Sequence, residues 1–157
     1  MTPDDLRQRL AIYGPGLDAE IALLQQLRKI SLEQHQATTI IDAKQLTAIA
    51  LERQRIMAAL VKIEHELRPA REALAHNREM AASLEGFADI ATLHRVAADL
   101  VAEIVHSDQD TIRALQDAEV ARRLAAQAVG AAGSTLAAYR RVVAPPLTGA
   151  GLVDRRG

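Results

Sequence analysis

Five histidines are the side chains of this chain most able to do chemistry, and one of them has a suggestive neighbour. Glu103-Ile104-Val105-His106 is an E-x-x-H pair one turn apart on a helix, the spacing with which some four-helix bundles hold two iron ions. Such a centre needs a second E-x-x-H pair and two further inward glutamates, and the chain has no second E-x-x-H. A phosphorelay histidine would be followed by Lys at the third position and Gly at the fourth. Thr38, Arg68, Glu79, Ala97 and Gln109 stand third after His35, His65, His76, His94 and His106, so none fits. Glu64 and His65 point about 100° apart on a helical wheel, and Glu64 and Glu66 read as a solvated face. All five histidines are expected to be exposed and chemically neutral. There is no cysteine, no Gly-rich phosphate loop, no G-x-S-x-G elbow and no H-E-x-x-H motif. The expectation is a protein that is not an enzyme and takes no cofactor or metal.

Elements that would position such residues are easier to read. In residues 43–80 the positions Leu46, Ile49, Arg53, Ile56, Leu60, Ile63, Leu67, Ala70 and Leu74 follow steps of three and four, broken only by Arg53. An average period of 3.5 lays one narrow apolar line along a helix and asks for a second helix against it. Aromatics are 2% of the 157 residues, too few to wall a compact enzyme pocket, and 25% are charged. This predicts an all-α fold: an elongated antiparallel helical hairpin or three-helix bundle with coiled-coil-like seams, its C-terminal helix the longest.

Along the chain, residues 1–16 read as a short helical segment that starts at Pro3 and is ended by Gly14-Pro15-Gly16. A single bundle domain follows over 17–143. Its first helix spans 17–38, and the β-branched run Thr38-Thr39-Ile40-Ile41 with Asp42 as N-cap marks a turn or a bend. The second helix covers 43–80 and is kinked at Pro69. The third covers 90–143, carries a polar waist at His106-Ser107-Asp108-Gln109-Asp110 and stops at Pro145-Pro146. Residues 144–157 read as a mobile tail.

Charge is unevenly spread: −6 over residues 1–119 and +5 over 120–157. Arginines spread over the last 38 residues, with one aromatic among them, make a weak nucleic-acid footprint, so no nucleic-acid partner is expected. No segment reaches the ~18–20 apolar residues of a membrane helix, and the acidic start is followed by no signal-peptide core. The expected compartment is the cytoplasm.

Helix lengths carry a geometric expectation. At ~1.5 Å per residue the second helix is ~57 Å and the third ~80 Å, so a hairpin of the two leaves the third overhanging from about residue 130. The overhang falls where residues turn small, with Gly130 and Gly133 each weakening a helix by about 1 kcal/mol relative to Ala. Either the first helix or N-terminal segment folds back over this end, or it is an exposed docking surface.

The whole pattern resembles the FlgN-type flagellar export chaperones. The shared features are a leading helix over 17–32, Asp42 with Leu46, Glu52-Arg53 and a regular seam, and a polar waist at 107–110. An Ala/Leu-rich run to Tyr139 and a Gly-containing tail with a basic end over 149–157 complete it. Family members often carry asparagines at the waist, where this chain has Asp108 and Asp110. The resemblance implies a cytoplasmic chaperone that binds hook-associated (hook–filament junction) proteins and meets components of the flagellar export apparatus. It also implies that the C-terminal region grips the client. Spacing then suggests Leu124, Ala128, Ala132 and Leu136 as the contact line, with Val129, Tyr139 and Val142 flanking it. Arg122, Arg123, Arg140 and Arg141 would steer an acidic client. The alternative is a structural or adaptor coiled coil that self-associates through residues 121–138. Oligomeric state stays open.

Overall fold

The computed structural model describes residues 1–40, 42–117 and 122–148, the side chains of 122–125, 127, 128 and 142–148 excepted. It is all-α: α1 (Pro3–Ile40), α2 (Ala43–His76), the short α3 (Arg78–Ala82), α4 (Phe87–Gln116) and α5 (Arg122–Thr148). Four long helices form a bundle in which α1 and α5 occupy opposite corners, each packed on both α2 and α4.

Partner pairs fix the directions. Ser31 meets Arg53 and Tyr13 meets Arg71, so α1 and α2 run antiparallel. Tyr13 meets His94, Ser31 meets Asp108 and His35 meets Thr111, so α1 and α4 run parallel. The second helix and α4 are therefore antiparallel, as expected, but they occupy diagonal corners of the bundle, with α3 carrying the chain across its end.

α1 opens with a reciprocal cap: the Thr2 hydroxyl accepts from the Asp5 amide at 3.1 Å, and the Thr2 amide donates to the Asp5 carboxylate at 2.8 Å. The expected break at Gly14-Pro15-Gly16 does not occur, and α1, at 38 residues, is the longest helix. Pro15 forfeits one backbone hydrogen bond, but Leu6, Tyr13 and Leu17 around it are completely buried, and that packing holds the helix together. The glycines serve close approach: a Cβ on Gly14 would lie 3.1 Å from Ile90 of α4, and one on Gly16 would press into Leu67 of α2.

α2 starts where expected. The Asp42 carboxylate accepts from the Gln45 amide at 3.1 Å, and Pro69 lies inside the helix. It ends at Asn77, whose backbone and side-chain N–H groups both donate to the Ala73 carbonyl. Gly86, at φ +87°, is left-handed and introduces α4.

The single third helix expected over 90–143 is instead two. α4 ends at Gln116, and α5 returns along it until Tyr139 stands beside Glu20. No overhang forms, because α5 is the fourth wall of the bundle. Its helix continues past Pro145-Pro146 to Thr148, while 149–157 of the expected tail lie outside the described residues.

Two apolar clusters fill the interior. One joins Leu6, Leu10, Tyr13 and Leu17 to Leu67, Leu74, Ala81, Phe87 and Ile90. The other joins Leu24, Leu27, Ile56, Leu60, Leu100 and Ile104 to Val129, Leu136 and Tyr139 of α5.

Gly16→Ala should reveal the close approach. The added methyl would sit 2.8 Å from Leu67 Cδ1 and 3.0 Å from its Cγ. Overpacking costs about 1–3 kcal/mol against a helix-propensity gain of about 1 kcal/mol, so urea unfolding should show a net loss of up to about 2 kcal/mol.

Candidate functional site

Polar residues sit where the apolar seams should continue. Arg53 lies four residues after Ile49 and three before Ile56, and Asp108 lies four after Ile104. Both are buried, and they face one another across the bundle. The Arg53 guanidinium donates to both Asp108 oxygens, at 2.9 and 2.6 Å, to Ser31 Oγ at 2.6 Å and to Gln34 Oε1 at 3.3 Å. This layer ties α1, α2 and α4 together. Burial pushes the Asp108 carboxyl up, against the pull of Arg53 and Ser31. The break in the α2 seam and the polar waist of α4 are thus two halves of one contact.

A second polar layer lies where each of three helices passes from one apolar cluster to the other. Glu20 falls between Leu17 and Ile21, Glu64 between Leu60 and Leu67, and His94 between Ile90 and Ala97. Arg71 joins them. It forms a two-pronged ion pair with Glu64, one prong at 2.5 Å, and its Nε donates to the Tyr13 hydroxyl at 2.9 Å. Tyr13 in turn lies 2.6 Å from His94 Nε2. With Arg71 donating to its oxygen, the Tyr13 proton goes to His94 Nε2, which leaves His94 neutral with its proton on Nδ1. Burial, with the Arg71 charge adding to it, pulls His94 down to about 4, and burial pushes Tyr13 up to about 12.

Glu20 is the odd member of this layer. Its side chain is completely buried, neither carboxyl oxygen has a hydrogen-bond partner, and Arg71 is 3.9 Å away and already engaged by Glu64. The Tyr139 hydroxyl of α5 faces it without forming a hydrogen bond of ordinary geometry. Burial pushes Glu20 up.

These findings correct two expectations. His94 is a buried, hydrogen-bonded core residue, and His35 contacts Thr111 at 3.2 Å, so the histidines are not uniformly exposed. Glu64 is a buried partner of Arg71, not part of a solvated face. The Glu103–His106 pair does lie on the outer face: Glu103 faces Arg28 at 3.3 Å and His106 faces Asp110 at 3.6 Å. Among the described residues, no group of three or more His, Asp or Glu side chains is placed to hold a metal ion, and no helix is long and apolar enough to cross a membrane.

The suggested client-contact residues divide sharply. Val129, Ala132, Leu136 and Tyr139 are buried and follow steps of three, four and three, so Ala132 and Leu136 of the expected line face inward together with the flanking Val129 and Tyr139. Arg140 and Arg141 are exposed. The side chains of Leu124, Ala128, Val142, Arg122 and Arg123 lie outside the described residues. Sequence reasoning missed Tyr13, Glu20, Glu64, Arg71 and His94, although most occupy seam positions three or four residues from buried apolar ones. Near the base, Arg7, Leu10, Ala11, Glu85, Gly86, Asp89 and Ile90 line an open groove of about 500 Å³ with no convergent set of catalytic groups.

Comparison with protein-family models, curated proteins and solved structures found no match.

Two measurements test the layers. Arg53→Met should cost about 3–5 kcal/mol in chemical denaturation, whereas adding Asp108→Leu should restore most of it by removing the stranded charge. For His94, the unfolded chain takes up a proton near pH 6.5 and the folded chain only near pH 4. Unfolding therefore binds a proton in that window, and stability should fall as pH drops through it, by roughly 2–3 kcal/mol. The difference between wild type and His94→Gln in thermal melts from pH 7 to 4 should isolate this loss.

Proposed function

We propose that the protein is a cytoplasmic export chaperone of the FlgN type. It binds hook-associated proteins and hands them to the flagellar export apparatus. The interrupted second seam and the polar waist support this reading through the resemblance they carry. The observation that gives it a physical form is the character of α5, which closes the groove between α2 and α4 with a thin line of Val129, Ala132, Leu136 and Tyr139. The seat of binding is this groove, not an overhanging rod. A client's amphipathic helix presents apolar residues at the same three- and four-residue steps and takes the place of α5 when α5 swings away. Arg140 and Arg141 remain on the outside to attract an acidic client. A self-associating coiled coil is less well supported, because Val129, Ala132 and Leu136 are already used within the chain.

Gly130 and Gly133 provide the test. A Cβ at either position meets nothing within 4 Å, so alanine should stabilise docked α5 by up to about 1 kcal/mol each without a clash. Titration calorimetry with a hook-associated protein's helical terminus should show binding to wild type and roughly tenfold weaker binding to Gly130→Ala/Gly133→Ala. No binding to wild type would overturn the chaperone reading. Equal binding by both proteins would overturn displacement of α5 as its route.

A further inference from the structure

The apolar clusters and the basal groove are accounted for by packing, and the Arg53 layer leaves only Arg53 Nε and Gln34 Nε2 unpartnered while pairing both of its charges. Glu20 is accounted for by neither. A carboxyl in a completely dry position normally accepts two or more hydrogen bonds or sits against its own cation, and Glu20 does neither. Among the described residues, the groups of its layer come from three other helices. From α2 come Glu64, a second carboxylate, and Arg71, which Glu64 holds on two nitrogens. From α4 comes His94, kept neutral by burial and the Arg71 charge and hydrogen-bonded to the Tyr13 hydroxyl of α1. From α5, among its described side chains, comes the phenol of Tyr139. One guanidinium thus stands among two carboxylates, and the layer is electrically neutral only when one of them carries a proton. Glu64 is the ion-paired one, which leaves the proton to Glu20.

The position of Glu20 says what would release that proton. It points to the bundle axis from α1, and the wall opposite α1 is α5. Docked α5 shuts water out, whereas detached α5 opens the axis so that the carboxylate can be hydrated. We propose that Glu20 is a proton-linked latch on α5: its carboxyl keeps a proton while α5 is docked and gives it to water when α5 detaches. Docking is therefore tightest at acidic pH and loosens as pH rises. The sign follows from a folded-state carboxyl that holds its proton more firmly than the unfolded chain does, so stability is greatest below the unfolded value and declines as pH rises through the folded one. The latch operates whatever α5 gives way to, so its test is independent of any client.

The decisive variant is Glu20→Gln in the full chain, a neutral side chain of the same shape. Amide hydrogen exchange over Val129–Tyr139, corrected for the intrinsic rate and compared with α1, α2 and α4, should be followed from pH 4 to 9. In wild type, α5 protection should fall with rising pH by about tenfold for each unit by which docking raises the carboxyl's titration. Protection of the other helices, which need global unfolding to exchange, should stay above that of α5 throughout. In Glu20→Gln this fall should be absent, so the two proteins match at pH 4 and diverge above it; comparison at each pH cancels the His94 contribution. Infrared spectra of wild type should carry a protonated-carboxyl band, absent from Glu20→Gln, that persists to higher pH than for free glutamate. A wild type whose α5 protection is independent of pH would overturn the proposal, and so would a Glu20→Gln variant that is less protected than wild type at every pH. Should the variant not fold, the wild-type exchange titration decides alone: α5 protection that does not fall as pH rises refutes the latch.

Discussion

A guanidinium inside a helical bundle must find its partner or the bundle does not close, and Arg53 sets that condition here. It reaches from α2 across the core to Asp108 of α4 and touches Ser31 and Gln34 of α1 on the way. Apolar seams alone tolerate a slide by a heptad, because leucine against leucine looks much the same one repeat along. A buried, two-pronged ion pair does not, since any slide strands a charge away from water. The second layer, around Arg71, repeats the constraint nearer the base of the bundle, so α1, α2 and α4 are pinned at two heights.

Much of this was legible, though in pieces. The period of 3.5 announced long helices, Asp42 marked a helix start and Pro69 was rightly kept inside a helix. Arg53 and the waist at 106–110 were both noticed as interruptions, but a single sequence offers no means of seeing that they answer each other across 55 residues. Glu20 draws no notice in the sequence, and Glu64 and His94 read as exposed, for a related reason. Each is ordinary by itself and becomes unusual only once its seam position shows that it must face inward.

The two misplaced boundaries also have physical causes. Gly14-Pro15-Gly16 breaks an isolated helix, but in the bundle the missing side chains let α1 approach Leu67 and Ile90 closely, and burial outweighs the local penalty. Between Gln116 and Arg122 the opposite holds. The residues around the break are good helix formers with no Gly or Pro, so local preference favours a continuous helix. What favours doubling back is the chance to bury Val129, Leu136 and Tyr139 against a groove that α1 leaves open. Such a decision is tertiary and leaves no local mark.

The parallel pairing of α1 with α4 has a bearing on how the chain reaches this structure. Their side-chain contacts join residues 76 to 81 apart, whereas those between α1 and α2 in the Arg53 layer join residues 19 to 22 apart. Closing the longer loops costs more chain entropy, by about 0.6 kcal/mol for each doubling, and is slower. The order of assembly favoured by this topology begins with the N-terminal helical hairpin as a template. The second half of the chain is then selected onto it by the charge each layer lacks.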